Sequence, residues 1–286
     1  MNLKTLNKKG MVMIKKIILK LVTLFKHKRY IPIVSITSKE KMLEGKKALV
    51  VGGSGGIGSA IAKKLKECGC YVIITGSNES KLKNVAKDCN ADGFVTLNLK
   101  DISSFDDKIN EVENKYGKID ILVCSSGIHV KRKGFNYMSV STDEFDDIMN
   151  VNMRGVYFIC QKIAKRMVEL KKNGNILIIS SSRGAEPSWS PYSLSKRCLN
   201  GYIEGLAKEL VPYGIVVNGI APGPTATTMQ DELVGGSIYT NQNPLERLTM
   251  PEEVAEYACM LVSSLGNTVA GQTIFLSGGR GIFDIR

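Results

Sequence analysis

The chain has 286 residues, is 43% hydrophobic and 23% charged, and carries a net charge of +12. That composition is ordinary for a globular protein with a sizeable core, and it holds no run of about eighteen uncharged apolar residues that would signal a membrane span. The basicity is concentrated: residues 1–44 hold eleven Lys or Arg against Glu40 and Glu44, a net of +9, which leaves +3 for residues 45–286. A nearly neutral domain argues against nucleic acid as a partner.

The chain therefore divides into a basic extension, 1–44, and one domain, 45–286. In the extension Ile14, Ile17, Ile18, Leu21, Leu24 and Phe25 fall at helical spacing, with Lys16, Lys20 and Thr23 facing away. A basic amphipathic helix of this kind lies on an anionic membrane surface or packs on a neighbouring subunit; partial disorder is the third reading. A signal peptide fits poorly, because Lys20 interrupts the apolar stretch and no small-residue cleavage site follows. Seven cysteines, an odd number set mostly in apolar segments, read as reduced thiols of a cytoplasmic protein. Cys68-Gly69-Cys70 has no second pair near it, and the chain's histidines are His27 and His129, so no metal site is expected.

From Lys46 onward, short β-branched runs alternate with amphipathic stretches. The runs 47–51, 71–75, 94–97, 119–124, 176–180, 215–220 and 273–276 read as strands. Most are almost continuously apolar, as strands covered on both faces are. Between them, 57–67, 79–88, 105–116, 143–171, 192–211 and 251–263 read as helices. This alternation predicts an α/β domain with a doubly wound parallel sheet of about seven strands.

The first strand runs into Gly52-Gly53-Ser54-Gly55-Gly56-Ile57-Gly58, and a helix follows. Glycines permit a tight turn and close approach of backbone to a pyrophosphate, and the helix N-terminus offers free N–H groups. A strand–turn–helix setting turns a weak glycine motif into a nucleotide-site prediction. The second strand ends at Thr75-Gly76-Ser77-Asn78. An acid there would bind a ribose 2′-OH and repel a 2′-phosphate. With none before Glu79, NADP is the expected cofactor and NAD the alternative.

Tyr192 and Lys196 stand at i and i+4, on one face of a helix. A nearby ammonium favours the phenolate, so Tyr192 is expected to titrate below its usual range near 10. Ser181 lies eleven residues upstream at a strand end, between Ser180 and Ser182, and Asn152 sits inside an apolar helix. A buried Asn there requires hydrogen-bond partners.

Taken in order, Gly52-x-x-x-Gly56-x-Gly58, Asn152, Ser181 and Tyr192-x-x-x-Lys196 resemble the classical short-chain dehydrogenase/reductases over residues 46–280. The segment 218–227, Asn-Gly-Ile-Ala-Pro-Gly-Pro-Thr-Ala-Thr, resembles the family's stretch beside the nicotinamide. The resemblance is to 3-oxoacyl-carrier-protein reductases and related carbonyl reductases. It implies a single Rossmann-like domain and hydride transfer between a nicotinamide and a carbonyl or secondary alcohol, in the reductase direction. It implies Ser181 orienting the carbonyl, Tyr192 passing the proton, Lys196 holding the ribose, and Asn152 supporting Lys196. Cofactor contacts are expected from Gly52, Ser54, Gly55, Gly56, Ile57 and Gly58; from Ser77, Asn98, Leu99, Ser125 and Gly127; and from Tyr192, Lys196, Pro222, Gly223, Thr225 and Thr227. A homo-oligomer, tetramer or dimer, and a small-molecule substrate are implied too.

The chain departs from the family's pattern at Val51, at Cys124-Ser125-Ser126-Gly127, at Asn98 and at Ser277, and in a Ser181–Tyr192 spacing about two residues short. The alternatives are a non-catalytic nucleotide-binding scaffold and a sugar-nucleotide epimerase or dehydratase. Against the latter, only seven residues follow Gly279. Segments 129–140 and 228–244 are expected to shape the substrate pocket. Lys131-Arg132-Lys133 reads as a solvated loop or as a site for an anionic group.

Overall fold

The computed structural model describes residues 42–130, 137–227 and 237–281. The chain separates into two units, Met1–Val34 and Ser35–Arg286. The first unit, and with it the expected amphipathic helix, lies outside the described residues, as does Lys131-Arg132-Lys133.

Seven strands form one sheet: β1 (Lys47–Val51), β2 (Tyr71–Gly76), β3 (Gly93–Thr96), β4 (Ile121–Cys124), β5 (Gly174–Ile179), β6 (Ile215–Pro222) and β7 (Thr273–Leu276). Their order is β3-β2-β1-β4-β5-β6-β7, and every pairing is parallel. The expected doubly wound sheet is present. Pairs such as Val51↔Thr75 and Val51↔Cys124 bring the carboxyl ends of β2, β1 and β4 level. The chain leaves β1 toward β3 and leaves β4 toward β7, so a crevice opens above those ends, where open α/β sheets bind ligands.

Helices α1 (Gly56–Glu67), α2 (Glu79–Asp88) and α7 (Pro251–Val262) cover one face; α3 (Phe105–Tyr116), α5 (Val156–Glu169) and α6 (Pro191–Leu210) cover the other. The period-two alternation of the strands divides the core between them. Leu49, Val51, Leu122 and Ile176 enter the α3/α5/α6 side, while Ala48, Val50, Ile121 and Leu177 enter the α1/α2/α7 side. Each such Leu or Ile contributes about 1.5–3 kcal/mol by leaving water. Local signals place the helix ends. Asn78 caps α2 by accepting from Lys81 N at 2.9 Å. Ser190 caps α6 from Ser193 N at 3.3 Å, ahead of Pro191 in the first turn.

One element differs from expectation. The single helix read over 143–171 is α4 (Thr142–Met149), a π-helical turn (Asn150–Gly155) and α5. The turn widens where Asn152 is drawn toward another segment. Gly155 there lies so close to Leu99 that a Cβ would come within 2.6 Å of its carbonyl oxygen. Hydrophobic spacing does not register such a bulge, which recurs at functional sites.

Candidate active site

The glycine turn is built by close approach. Gly52 has φ +81°, the left-handed region that favours glycine, and a Cβ there would lie 2.6 Å from Ser126 N. Its N–H and that of Gly53 donate to Thr75 O at 3.1 and 2.9 Å, tying the turn to the end of β2. Gly53 and Gly58 are buried, while Gly55 and Gly56 are exposed. Gly55 is the N-cap of α1 and brings no side-chain acceptor to the first N–H groups. Those donors face the crevice with the positive end of the helix dipole.

The other expected cofactor contacts ring this turn. Ser54 Oγ lies beside Gly76, where a Cβ would sit 2.6 Å away, and Ile57 is half-buried. Ser77 is exposed just past β2, and Asn98 accepts from Lys100 N at 3.0 Å. Leu99 is buried against Gly155. Thr227 packs on Gly56, whose Cβ would meet it at 2.7 Å, and Thr225 donates to Gly223 O at 2.9 Å. Pro222 ends β6, and Gly223 N donates to Leu276 O at 3.0 Å. The Oγ of Ser125 is buried and has no hydrogen-bond partner among the described residues. An orphaned hydroxyl beside a glycine cradle and an uncapped helix start fits a phosphate-bearing dinucleotide.

Past the turn, Asn152, Ser181, Tyr192 and Lys196 come together. Asn152 is wholly buried; its Oδ1 accepts from Ile128 N at 2.8 Å, and its Nδ2 donates to Ile128 O at 3.0 Å and to Ser195 Oγ at 3.2 Å. Lys196 Nζ donates to Ile179 O at 3.0 Å and stands 5.8 Å from the centre of the Tyr192 ring. Gly127 lies between the two, a Cβ there being 3.4 Å from Lys196 Nζ and 3.7 Å from Asn152 Oδ1. Tyr192 hydrogen-bonds Ser181. Ser180, the neighbouring candidate, is turned away: its Oγ meets Lys196 O at 3.1 Å and Asn200 Oδ1 at 2.6 Å.

The titration of Tyr192 corrects the expectation. Burial holds the phenol above its ordinary value, with the Ser181 hydrogen bond and the Arg183 charge working against that rise. The Lys196 ammonium gives its hydrogen bond to the Ile179 carbonyl rather than to the phenol, and it does not overcome the effect of burial. Burial pushes Lys196 itself down to about 8.

Two neighbours had no individual role assigned from the sequence, although His129 opens the segment 129–140 expected to shape the substrate pocket. His129 meets Tyr192 edge-to-face, ring centres 4.9 Å apart. Burial, and then the Arg183 charge, lower the titration of this imidazole. Arg183 follows Ser181 by two residues, and that short offset was its one signal.

The family model for enoyl-(acyl carrier protein) reductase matches residues 52–280. The 3-oxoacyl-[acyl-carrier-protein] reductase FabG of Aquifex aeolicus is 36% identical over 249 residues, covering 84% of this chain and 99% of that protein. Its namesake from Rickettsia bellii is 33% identical over 242 residues, covering 83% and 97%. Among solved structures, a gluconate 5-dehydrogenase from Burkholderia cenocepacia in complex with NADP and tartrate superposes with TM-score 0.76 at 29% identity, covering 84% of this chain and 96% of that one. A 3-ketoacyl-(acyl-carrier-protein) reductase from Brucella melitensis complexed with NADH gives 0.74 at 30% identity, covering 84% and 99%. Fold, cradle and likeness define a nicotinamide-dependent oxidoreductase acting on small molecules. The chain belongs to the short-chain dehydrogenase/reductase family, in which it is similar to the 3-oxoacyl-carrier-protein reductases.

Proposed function

We propose that this enzyme reduces a carbonyl to a secondary alcohol with NADPH. The observation that carries this reading is the meeting of Ser181 with Tyr192, and of Asn152 and Lys196 around Gly127, at the carboxyl ends of β4 and β5. A dinucleotide held through its pyrophosphate at the glycine cradle would supply the hydride from its nicotinamide. The protein's share is to hold the carbonyl and deliver a proton. Ser181 and Tyr192 present two hydroxyls to one oxygen, and Tyr192 gives up the proton as negative charge develops there. A phenol held above its ordinary value is fully protonated at neutral pH, the form reduction consumes. Lys196, an ammonium below about pH 8, stands where it can hold a ribose hydroxyl and attenuate the charge left on the phenol. Asn152 fixes the Ile128 backbone, and with it the wall that carries His129.

The preference for NADPH is supported by the end of β2. Asn78 is engaged as a helix cap, exposed Ser77 is open to a 2′-phosphate, and the first acid, Glu79, already belongs to α2. Cytoplasmic residence agrees with six of the seven cysteines being buried and free, and no described helix is long and apolar enough to cross a membrane. A homo-oligomer is supported by the exposed Tyr157 of α5, whose ring centre lies 5.0 Å from that of Tyr202 of α6 at a tilt of 34°. Purified protein assayed with NADPH and NADH against a carbonyl panel tests the proposal, with light scattering for the assembly. No NADPH consumption with any carbonyl would overturn it.

A further inference from the structure

The short loop between Ser181 and Tyr192 carries charge that proton transfer does not use. Arg183 is anchored through its backbone, whose N–H donates to Ser181 Oγ at 3.3 Å. Its Nη1 reaches Glu186 Oε2 at 3.1 Å. Arg280, in the turn after β7, grips the same carboxylate through both Nε and Nη2. Arg280 Nη1 is itself held by Gln242 Oε1 at 3.0 Å. One carboxylate thus serves two guanidinium groups, and the cluster keeps one positive charge in surplus. The surplus falls on Arg183. Its side chain is 37% exposed against 14% for Arg280, and among the described residues it commits Nη1 alone.

The position of that charge matters more than its existence. It acts on both Tyr192 and His129, whose rings meet edge-to-face, and among the described residues no acid perturbs either. The two-point grip of Arg280 also holds Glu186 in place, so one shared carboxylate cannot neutralise both guanidinium groups. A planar guanidinium with free donors, partly shielded from water, matches the paired oxygens of a carboxylate or phosphate. We propose that Arg183 forms an anion subsite beside Tyr192, so that the substrate is a carbonyl compound bearing a carboxylate or phosphate monoester away from the reacting carbon. This rests on the carbonyl-reductase reading and narrows its substrate class.

Trp189 is the single tryptophan of the chain and stands three residues before Tyr192, edge-on to Tyr137 at 5.9 Å. Its fluorescence reports binding without turnover. The full chain, saturated with NADP, is titrated with tartrate, with glycerol 3-phosphate, and with the neutral polyols threitol and glycerol. A saturable change with one of the acids and none with its polyol is expected, and the tighter acid tells carboxylate from phosphate. Arg183→Gln should weaken that acid by about tenfold or more, and Arg183→Lys, which keeps charge but loses the fork, by less. NADP affinity should hold in both variants, which also shows that they fold. Equal responses to acids and polyols, no response to any of the four, or unchanged acid affinity in Arg183→Gln overturns the subsite. Turnover of acetoacetate against methyl acetoacetate separates the two readings. Arginine-dependent acid binding without reduction of any carbonyl leaves the subsite standing and sinks the reductase. Reduction that favours the ester and is unaffected in Arg183→Gln sinks the subsite alone.

Discussion

Lys196 stands 5.8 Å from the centre of the Tyr192 ring yet gives its hydrogen bond to the backbone oxygen of Ile179 at 3.0 Å. The two residues share a helix face without being directly paired. The phenol is left with Ser181 as its partner and with a pKa set mainly by burial. If Tyr192 delivers the proton, Tyr192→Phe removes the donor and little else. Turnover should fall about 10²–10⁴-fold, while cofactor affinity, read by titration, stays near that of the parent chain. Near-normal turnover would remove Tyr192 from the mechanism.

The direction of the two shifts sets a pH dependence. Reduction consumes the neutral phenol, which burial keeps protonated beyond its ordinary range. Oxidation needs the phenolate, whose fraction rises with pH below the pKa. Lys196 loses its charge above about 8, and a site without that ammonium is a poorer place to leave negative charge. Reduction should therefore hold level from about pH 6 to 8 and decline above, while alcohol oxidation climbs over the same interval. Steady-state profiles in both directions check this. Reduction that climbs with pH would contradict the assignment.

Much of this was legible in the residues because the signals were local. The apolar runs marked all seven strands, and glycine spacing marked the cradle because steric exclusion at Gly52 and Gly58 admits nothing larger. Tyr192 and Lys196 were visible through helical periodicity. What stayed hidden depends on contacts distant in sequence. The π-helical turn exists because Asn152 answers the backbone of Ile128, and the Glu186–Arg280 pair joins residues separated by 94 positions. The pKa of Tyr192 was misjudged because the i, i+4 relation shows neither the burial that dominates the phenol nor which acceptor the ammonium faces.

Ser77 offers a test of cofactor choice. It is exposed immediately after β2, and no acid precedes Glu79 on that loop. Ser77→Asp would set a carboxylate against a 2′-phosphate while remaining able to bind a 2′-OH. NADPH affinity should drop about tenfold or more with NADH held or improved, as read by titrating each. Equal weakening of both would show that the phosphate does not lie there.

Asn152 is fully buried and makes three hydrogen bonds, two of them to the same backbone unit at Ile128. Asn152→Ala leaves that N–H and C=O without partners, at about 1–3 kcal/mol for each group that water cannot reach. It also frees the wall behind His129. Loss of stability in a denaturant melt should come with lost turnover. Asn152→Asp keeps the acceptor for Ile128 N but not the donors, and should fall between. A variant as stable as the parent would mean that another group holds the loop.

The extension poses a separate question, and Leu43 sets where it can be cut. Leu43 is buried to 1% exposure in the α1/α2/α7 core, its N–H donates to Cys68 O at 3.0 Å, and its carbonyl accepts from Lys46 N. A chain beginning at Lys41 keeps this anchor and every residue of the cradle and the catalytic group. It should fold, bind dinucleotide and turn over like the full chain. A chain beginning at Gly45 loses a buried leucine, about 2–5 kcal/mol by the usual cost of emptying such a site, and its Tm should fall by roughly 5–10 °C for a domain of this size. The net +9 of residues 1–44 makes a further distinction possible. If the extension lies on a membrane surface, the full chain floats with anionic vesicles, the Lys41 chain does not, and salt weakens the interaction. If it packs on a neighbouring subunit, truncation changes the assembly seen by light scattering while vesicles attract neither chain. A Lys41 chain that cannot bind dinucleotide would show that residues before it belong to the fold.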